Sequence, residues 1–480
     1  MMEDEELYGT FIEEGLHDWQ ILQQEKGSAS VAIRGSYRIP AFPDRRKVIW
    51  SMPVVRVVRE EDNVTLIHWK QAESVYDQTE TRGKWEIVLT LPAGGLYRVE
   101  SGLECREDIR GETPAIYRGD SRFHIGVGNI FVIAGQSNAS GFAHDTAYDP
   151  VDLRVHVFRN RRTWELAAHP LNDSTQAYGN TSNEIGRCGF SPFLQFAKRY
   201  ADMTGLPVGL VPTSMSGQSI VRWDDRVNGD LFYNMLNRIE LSGGKPRAVL
   251  WYQGCTDAVA GEAKEYYGRF RHFVESLRKS LGYEIPVFTF QLNRILTGDG
   301  GISWGMIREA QRRAALEIPC TYVLPTLDCR LADIIHNSAP ANLTLGERMA
   351  RHCVYHLENG PFYEAPNIKS AVVLENDEID VEFENVSGRL VFQLSGAEES
   401  GFYAEDDAGK VGLSKIMQGP EGGMLRIIPE RRTKGRVYLS FMQDADPMGV
   451  PVMDDESFLI PLAFYRFETT KKGGETWENI

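Results

Sequence analysis

A serine lies in the short segment Gly135-Gln136-Ser137-Asn138, directly after the apolar run Ile130–Ala134. A nucleophilic serine needs an exposed hydroxyl and a nearby backbone N–H that can face an oxyanion. A turn that begins with glycine at the end of a strand supplies both. The same four residues would also suit an ordinary polar turn, so Ser137 predicts acyl-transfer chemistry only if partners for it exist elsewhere in the chain.

A general base for this serine is offered by the segment Asp333-Ile334-Ile335-His336. An Asp three residues before a His can accept a hydrogen bond from Nδ1 of the imidazole, which leaves Nε2 to take the proton from Ser137. Of the ten histidines, His336 has such an Asp in a loop between the last apolar run and a helix. His144 is the alternative base because it follows Ser137 closely, and a plain loop histidine is the alternative interpretation of His336.

Two further segments could donate hydrogen bonds to an oxyanion. Ser216-Gly217-Gln218-Ser219 follows the apolar run Val208–Val211, and a glycine there lets a carbonyl group approach the backbone N–H closely. Gln253 follows the run that begins at Ala248, and its side-chain amide can also donate. Each has a structural alternative, which is a simple turn for Gly217 and a buried amide bonded to backbone for Gln253.

The elements that must position these segments are five apolar runs of strand length, which alternate with amphipathic segments of helical length. The strand candidates are Ile130–Ala134, Val208–Val211, Ala248–Tyr252, Val287–Leu292 and Thr321–Leu324. The helix candidates are 191–204, 230–242, 261–281, 304–317 and about 344–358, the last with Thr344 and Glu347 as a capping box. This alternation predicts a parallel sheet covered by helices on both faces. Because the carboxyl ends of parallel strands lie at one edge, such a sheet would bring the four polar segments together.

The flanking regions differ in character from this middle part. Both contain short alternating runs, such as Trp85–Leu91 and Ile379–Phe383, that are separated by turn-forming residues. A length of 480 residues also fits two or three domains. The sequence therefore predicts a β-rich domain over 1–125, a catalytic α/β domain over 126–360 and a second β-rich domain over 361–480.

The composition argues against several classes of protein. Hydrophobic residues make up 42% and charged residues 25%, which is the balance of a globular chain, while a formal net charge of −15 disfavours nucleic acid as a partner. The six cysteines lie far apart without a Cys-x-x-Cys pair, so the sequence predicts neither a zinc site nor a disulfide framework. The acidic first residues and the lack of long apolar stretches predict a cytoplasmic chain that does not enter a membrane.

Taken together, the four polar segments resemble the SGNH hydrolase superfamily, in its branch of sialate O-acetylesterases and acetylxylan-esterase-like proteins. That branch carries Gly-Gln-Ser-Asn, then a Gly followed by Ile and Trp, then Trp-x-Gln-Gly-Glu, and finally Asp-x-x-His followed by Leu-Gly-x-Arg. The residues that match these four blocks are Gly135 to Asn138; Gly217, Ile220 and Trp223; Trp251, Gln253 and Gly254; and Asp333, His336, Leu345, Gly346 and Arg348. The resemblance covers the middle region, and the flanks are similar only in outline.

The resemblance implies a three-layer α/β/α domain with a parallel, flavodoxin-like sheet, flanked by β-rich segments. It implies a serine esterase that removes O-acetyl groups from carbohydrates, with Ser137, Asp333 and His336 as the catalytic triad. The backbone N–H groups of Ser137 and Gly217 and the side chain of Gln253 would hold the oxyanion. No metal ion or organic cofactor would take part, and the partner would be an acetylated sugar or oligosaccharide.

Two departures from the family pattern bear on the substrate. Cys255 stands where the family has Glu, and Ser216 stands where it usually has Gly. The family Glu is expected to order the site through hydrogen bonds, so its absence affects substrate placement more than the triad. Trp223 is the preferred candidate for contact with a sugar ring, and Arg187 and Asn183 are further candidates for the cleft. An acetylxylan or xylo-oligosaccharide esterase and a non-catalytic carbohydrate-binding protein are the alternative functions.

Overall fold

The computed structural model describes residues 7–40, 47–77, 82–108, 113–179, 184, 186–259, 262–296, 301–392, 400–447 and 452–472. The cleft candidate Asn183 therefore lies outside the described residues. The chain divides into two compact units: the first comprises Met1–Ile130, Val151–Ala167 and Ala201–Leu210, and the second comprises Phe131–Pro150, Ala168–Tyr200 and Val211–Ile480. The three domains with boundaries at 1–125, 126–360 and 361–480 stay a prediction.

The first unit is built mainly from β-strands. They are β1 Gly9–Glu14, β2 Ile21–Gln23, β3 Ser28–Arg38, β4 Val48–Arg59, β5 Thr65–Gln71, β6 Glu73–Asp77, β7 Arg82–Pro92, β8 Gly94–Glu107, most of β9 Ala115–Gly135, β10 Val155–Phe158, β11 Trp164–Leu166 and the start of β12 Val208–Pro212. The antiparallel partners of β3 are β1 and β7. In β7 the alternation predicted from the sequence is observed, because Trp85, Ile87, Leu89 and Leu91 are buried in the core of this unit.

The second unit combines helices with parallel strands. Its strands and helices in this part of the chain are the end of β9, β13 Ala248–Tyr252, β14 Val287–Phe290, β15 Thr321–Leu324, α1 Ser137–Ser140, most of α2 Pro192–Thr204, a 3-10 helix Ile220–Trp223, α3 Asp230–Ser242, α4 Cys255–Val259, α5 Ala263–Leu281, α6 Ser303–Glu317 and α7 Ala339–Glu358. The parallel neighbours of β13 are β9 and β14, and β14 pairs in parallel with β15. All residues of β13 and β14 are buried, which is why these strands read as continuous apolar runs.

The remaining strands of the second unit follow α7. They are β16 Asn367–Val373, β17 Ile379–Glu384, β18 Leu390–Val391, β19 Phe402–Asp406, β20 Gly409–Val411, β21 Leu413–Gln418, β22 Met424–Pro429, β23 Val437–Phe441, β24 Met453–Asp454, β25 Phe464–Glu468 and β26 Thr470–Lys471. Most pair antiparallel, as β17 does with β16 and β22. In β17 the buried residues Ile379, Val381 and Phe383 alternate with more exposed acidic ones, as expected for a strand with one face in a core. The protein is thus a mixed α/β chain with both parallel and antiparallel strands.

The start of α7 corrects one expectation. The sequence predicts a helix that begins near Thr344 with a capping box, but α7 begins at Ala339, and the Ser338 hydroxyl accepts a hydrogen bond of 3.2 Å from the N–H of Ala341. Thr344 lies inside the helix, where its hydroxyl donates to the carbonyl oxygen of Pro340. Ser338 is the better cap because a proline follows it within the first turn, where no N–H is required. Within the described part of the chain, none of the helices has the length and apolar character needed to cross a bilayer.

Candidate active site

Ser137 is the first residue of α1 and comes immediately after the turn that ends β9. Gly135 has a φ of +127°, and a Cβ at this position would lie 2.3 Å from the carbonyl oxygen of Tyr252 on β13. Only glycine fits there, because both the backbone conformation and the close approach of β13 exclude a side chain. The turn places Ser137 in the wall of an open cavity of about 460 Å³. A largely buried serine with its hydroxyl at a cavity has the exposure that a nucleophile requires.

The predicted partners of Ser137 are within hydrogen-bonding distance. Nε2 of His336 lies 2.9 Å from Oγ of Ser137, and Nδ1 of the same ring lies 2.7 Å from Oδ2 of Asp333. The alternative base His144 is exposed, and its ring lies beside Phe142. The relay runs from a hydroxyl through an imidazole to a carboxylate, which is the arrangement that lets a neutral imidazole take the hydroxyl proton.

Asp333 is held in its ionised form by several donors. Its Oδ1 accepts backbone N–H bonds from Ile335 at 2.8 Å and from His336 at 2.7 Å, while Oδ2 faces the imidazole. Partial burial of the carboxyl opposes ionisation, but the His336 ring and the two N–H groups outweigh it, so the pKa of Asp333 lies below its ordinary value. The carboxylate can therefore accept from Nδ1 and fix the tautomer of the ring.

The two residues predicted to supply backbone oxyanion donors line the same cavity. Ser137 and Gly217 both line it, and Gly217 adopts a φ of +67° in the exposed turn after β12. Among the described residues, neither the N–H of Ser137 nor that of Gly217 has a hydrogen-bond partner. Neither N–H group is thus engaged by another described residue, and the role of both as oxyanion donors stays a prediction.

The side-chain amide of Gln253 donates its hydrogen bonds to neighbouring residues. Its side chain is fully buried, and Nε2 donates to the carbonyl oxygen of Gln218 at 3.1 Å and to the carboxylate of Asp257. One amide hydrogen thus joins the end of β13 to the loop that follows β12, and the other joins it to α4. The role of Gln253 as an oxyanion donor stays a prediction, since it requires the amide to give up one of these bonds.

Asp257 is a site residue that the sequence reasoning missed. Its carboxylate accepts hydrogen bonds from the Ser219 hydroxyl at 2.6 Å and from the backbone N–H of Ile220, in addition to Gln253. Burial raises the pKa of Asp257, and these donors only partly offset it. The residue lies two positions after Cys255, where the family has its Glu. A carboxylate therefore orders this part of the site, and the acidic residue in the first turn of α4 was the signal for it.

Cys255 itself cannot replace a carboxylate. The side chain is buried at the edge of the cavity, and burial raises the pKa of the thiol to about 12. A neutral thiol is a weak hydrogen-bonding group that packs like a small apolar side chain. Cys255 therefore fills space beside Thr256 in the cavity wall.

The other polar residues of the Gly-Gln-Ser-Asn segment join neighbouring loops. Oε1 of Gln136 accepts N–H bonds from Gly254 at 3.1 Å and Thr256 at 3.3 Å, which ties the segment to the start of α4. Asn138 bonds instead to the backbone of the loop that carries His336. Both side chains are buried, so the segment fixes two neighbouring loops around Ser137.

The expectation that Trp223 contacts a sugar ring is corrected by the structure. Its ring is 0% exposed and packs edge-on against Trp251, with 5.2 Å between the ring centroids. An indole at the end of a 3-10 helix can face either the core or the solvent, and the indole of Trp223 is buried in the apolar core next to Trp251. Among the described residues, Phe142 lines the cavity, and its ring centroid lies 5.2 Å from that of the His336 imidazole. Arg187, the other described candidate for the cleft, is exposed and is not among the residues that line this cavity.

The residues of the Leu-Gly-x-Arg block have structural roles in α7. A Cβ at Gly346 would lie 2.4 Å from the carbonyl oxygen of Pro192, so glycine allows α7 to approach the start of α2. Arg348 pairs with both carboxylate oxygens of Asp328, with 2.9 Å from Nη1 to Oδ1. Asp328 therefore stabilises the loop after β15 and does not contact the imidazole of His336.

Comparisons with known proteins agree on one class of enzyme. Residues 127–355 match the family model described as carbohydrate esterase, sialic acid-specific acetylesterase. A protein of Arabidopsis thaliana named probable carbohydrate esterase is 26% identical over 245 residues, which are 46% of this chain and 88% of that protein. The crystal structure of a carbohydrate acetylesterase from Xanthomonas citri has a TM-score of 0.61 at 19% identity and covers 95% of this chain and 99% of its own. The last likeness shows a shared fold.

Proposed function

We propose that this chain, a carbohydrate esterase of the sialic acid-specific acetylesterase family through its residues 127–355, removes O-acetyl groups from sugars by a Ser-His-Asp mechanism. The observation that carries the proposal is the hydrogen-bonded series from Ser137 through His336 to Asp333 at the wall of the cavity. Acyl transfer requires a hydroxyl that faces Nε2 of an imidazole and an ionised carboxylate that faces Nδ1 of the same ring, and the three side chains have this arrangement.

In the first half of the reaction, Nε2 of His336 takes the proton of Ser137 as Oγ attacks the acetyl carbonyl carbon. The oxyanion that forms accepts hydrogen bonds from the N–H groups of Ser137 and Gly217, with the side chain of Gln253 as a third donor. Asp333 stabilises the imidazolium through Nδ1. The C–O bond to the sugar then breaks, and the sugar oxygen leaves with the proton from Nε2.

In the second half, a water molecule replaces the sugar. His336 takes a proton from this water as its oxygen attacks the acetyl-serine carbonyl, and the same N–H groups hold the second oxyanion. The bond to Oγ breaks, the proton on Nε2 returns to Ser137, and acetic acid is released with the second proton of the water. The acid then ionises to acetate in solution.

The cavity favours a small acyl group on a polar acceptor. Phe142, Val259 and Ile335 give it apolar walls that suit an acetyl methyl group, and its open side admits a larger sugar. The description of the matching family favours an O-acetylated sialic acid as the substrate. An acetylated xylo-oligosaccharide is the other sugar to be tested.

We also propose the arrangement around the site. The parallel order β9, β13, β14 and β15, with helices between successive strands, supports a three-layer α/β/α domain because parallel sheets are nearly always covered by helices on both faces. On this proposal β-rich domains over 1–125 and 361–480 flank it. Limited proteolysis followed by mass spectrometry tests the second boundary, with cleavage expected near residue 361, where the chain is exposed and irregular.

The test of the proposed function uses the purified chain and an aryl acetate. Ser137→Ala is expected to abolish hydrolysis, and a fluorophosphonate probe is expected to label Ser137 of the unmodified protein only. Ser414→Ala is the matched control, because that hydroxyl is exposed on β21 and bonds only to a backbone carbonyl. Full activity in Ser137→Ala would refute the assignment, and absence of both labelling and hydrolysis would favour a non-catalytic binding protein.

A second experiment identifies the sugar that carries the acetyl group in the substrate. Acetylated sialic acids and acetylated xylo-oligosaccharides are incubated with the enzyme, and mass spectrometry follows the loss of the acetyl mass. Faster release from the sialic acids is expected. Release of acetyl groups only from xylo-oligosaccharides would show that the substrate is not a sialic acid, but it would leave the proposed mechanism unchanged.

A further inference from the structure

A second cluster of titratable groups lies at the far end of α7. His352 and His356 are one turn apart on this helix, and Glu364 follows in the segment that leads to β16. Side chains four residues apart on a helix project from the same face. One ring nitrogen of each histidine and one oxygen of Glu364 lie within 4.8 Å of one another. The chain thus gathers two imidazoles and a carboxylate at one point.

His352 is the unusual member of the cluster. Its side chain is 0% exposed, yet neither Nδ1 nor Nε2 has a hydrogen-bond partner among the residues that the structure describes. Buried polar atoms in folded proteins are nearly always hydrogen-bonded or bound to an ion or water. The rings of Phe288 and Tyr322 pack around His352 and satisfy neither nitrogen. The burial of this ring therefore calls for a partner that is not a protein side chain.

The contacts of Glu364 point to what that partner is. Its Oε1 lies 2.6 Å from Nε2 of His356, without the geometry of a hydrogen bond, and its Oε2 lies 3.9 Å from Nε2 of His352. One oxygen of the carboxylate and one ring nitrogen of each histidine lie within 4.8 Å of one another, close enough to share a cation. Two imidazole nitrogens and a carboxylate oxygen form a ligand set typical of zinc.

We propose that His352, His356 and Glu364 bind a divalent transition-metal ion, with Zn²⁺ the best match to the ligands. Binding forms two Zn–N bonds and one Zn–O bond with neutral imidazoles and an ionised carboxylate, and a water molecule completes four-coordination. Small rotations of the side chains suffice, since the ligand atoms are already close together. The ion would fix the segment after α7 to the helix itself.

The ion at this site is structural and stands apart from the esterase reaction. His352 lies 13 residues beyond Ala339, where α7 begins close to His336. At 1.5 Å per residue, this places the metal site about 20 Å along the helix from its start. An ion there cannot touch an acyl group on Ser137, so its removal lowers thermal stability and leaves the chemistry of the serine unchanged.

The test measures metal binding on the full chain without a histidine tag. The protein is stripped with a chelator, loaded with Zn²⁺ and desalted, and bound zinc is counted by mass spectrometry; a Co²⁺ derivative is examined by visible absorption. One ion per chain, a tetrahedral Co²⁺ spectrum and a melting temperature raised by Zn²⁺ are expected. The folded, stripped protein is expected to keep its aryl acetate hydrolysis.

Variants of the two half-buried ligands make the test specific. His356→Gln and Glu364→Gln are expected to lose the bound ion and the rise in melting temperature caused by Zn²⁺. His272→Gln is the matched control, because His272 lies in a different cluster, with Asp224 and Asp225. This variant is expected to leave the number of bound zinc ions unchanged. Wild-type protein that retains no more zinc than Glu364→Gln would overturn the proposal, as would loss of the ion in His272→Gln.

Discussion

The side chain of Asn138 holds the backbone on both sides of His336. Its Oδ1 accepts a hydrogen bond of 3.1 Å from the N–H of Asn337, and its Nδ2 donates to the carbonyl oxygen of Ile335 at 3.4 Å. Asn337 is fixed in turn by a bond from its amide to the hydroxyl of Tyr252. The residue next to Ser137 therefore sets where the imidazole lies relative to the serine hydroxyl.

We expect Asn138→Ala to lower kcat by up to about 100-fold, because a catalytic group displaced by about 1 Å loses most of its alignment. KM for an aryl acetate should change little, since Asn138 does not contact the acyl group. Asn138→Asp keeps the acceptor for Asn337 and is expected to recover part of the loss. Steady-state kinetics on both variants check this, and an equal fall in both would show that the contact with Asn337 is not the important one.

Replacement of Asp333 tests the other end of the relay. In Asp333→Asn an amide N–H would face Nδ1 of His336 and favour the wrong tautomer, so kcat should fall by roughly 100- to 10,000-fold. The fold should persist because the side chain is exposed and can still accept the backbone bonds. Circular dichroism serves as the control for folding. A rate close to that of the wild type would mean that Ser137 and His336 act as a dyad, since Asp328 is paired with Arg348.

The order of strands and helices in the middle of the chain could be predicted because it follows from apolar periodicity. α3 begins and ends where the sequence predicts, and α2 differs from its predicted start by one residue. The meeting of Ser137 and His336 also follows, since both come after parallel strands and such ends share one edge. The start of a helix does not follow from periodicity alone, as Ser338 shows, because several Ser and Thr residues near one end can serve as the cap.

Burial and hydrogen-bond partners could not be predicted in the same way. Trp223 is apolar and lies in the second block, which fits a wall of the cleft or the core equally well, and only the position of Trp251 decides between them. The sequence pattern does not indicate Asp257, because the family Glu aligns with Cys255 instead. Asp257 lies two residues after Cys255 in α4, and its carboxylate reaches Ser219 in the loop after β12. The burial of Trp223 and the hydrogen bonds of Asp257 both depend on the direction of the side chain, which a sequence pattern does not contain.

Asp257 gives the stability of the protein a predictable pH dependence. Burial raises its pKa in the folded state, so the folded chain holds the proton more tightly than the unfolded chain does. The contribution of this carboxyl is complete below the unfolded pKa of about 4 and is lost as the pH rises through the folded pKa. The melting temperature of wild type relative to Asp257→Asn should therefore fall as the pH is raised above about 4.

Asp406 provides the control with the opposite sign. Its hydrogen bonds with Arg431 lower its pKa to about 2, so its contribution is complete above the unfolded pKa and is lost only in acid. Between about pH 5 and 8 the melting temperature of wild type relative to Asp406→Asn should stay constant. Scanning calorimetry at several pH values checks both differences. A wild-type advantage over Asp257→Asn that grows with pH would contradict the assigned direction.

Trp223 and Phe142 are expected to separate stability from substrate binding. Trp223→Phe should lower the free energy of unfolding by about 1–3 kcal/mol, because it leaves space beside Trp251, while KM of the folded enzyme stays unchanged. Phe142→Ala should have the opposite effect, with kcat/KM for an acetylated sugar reduced roughly tenfold through loss of the apolar wall and little change in melting temperature. Thermal melts and kinetics on both variants check the contrast. If Trp223→Phe raised KM in fully folded protein, the ring would have to reach the substrate, and its assignment to the core would be wrong.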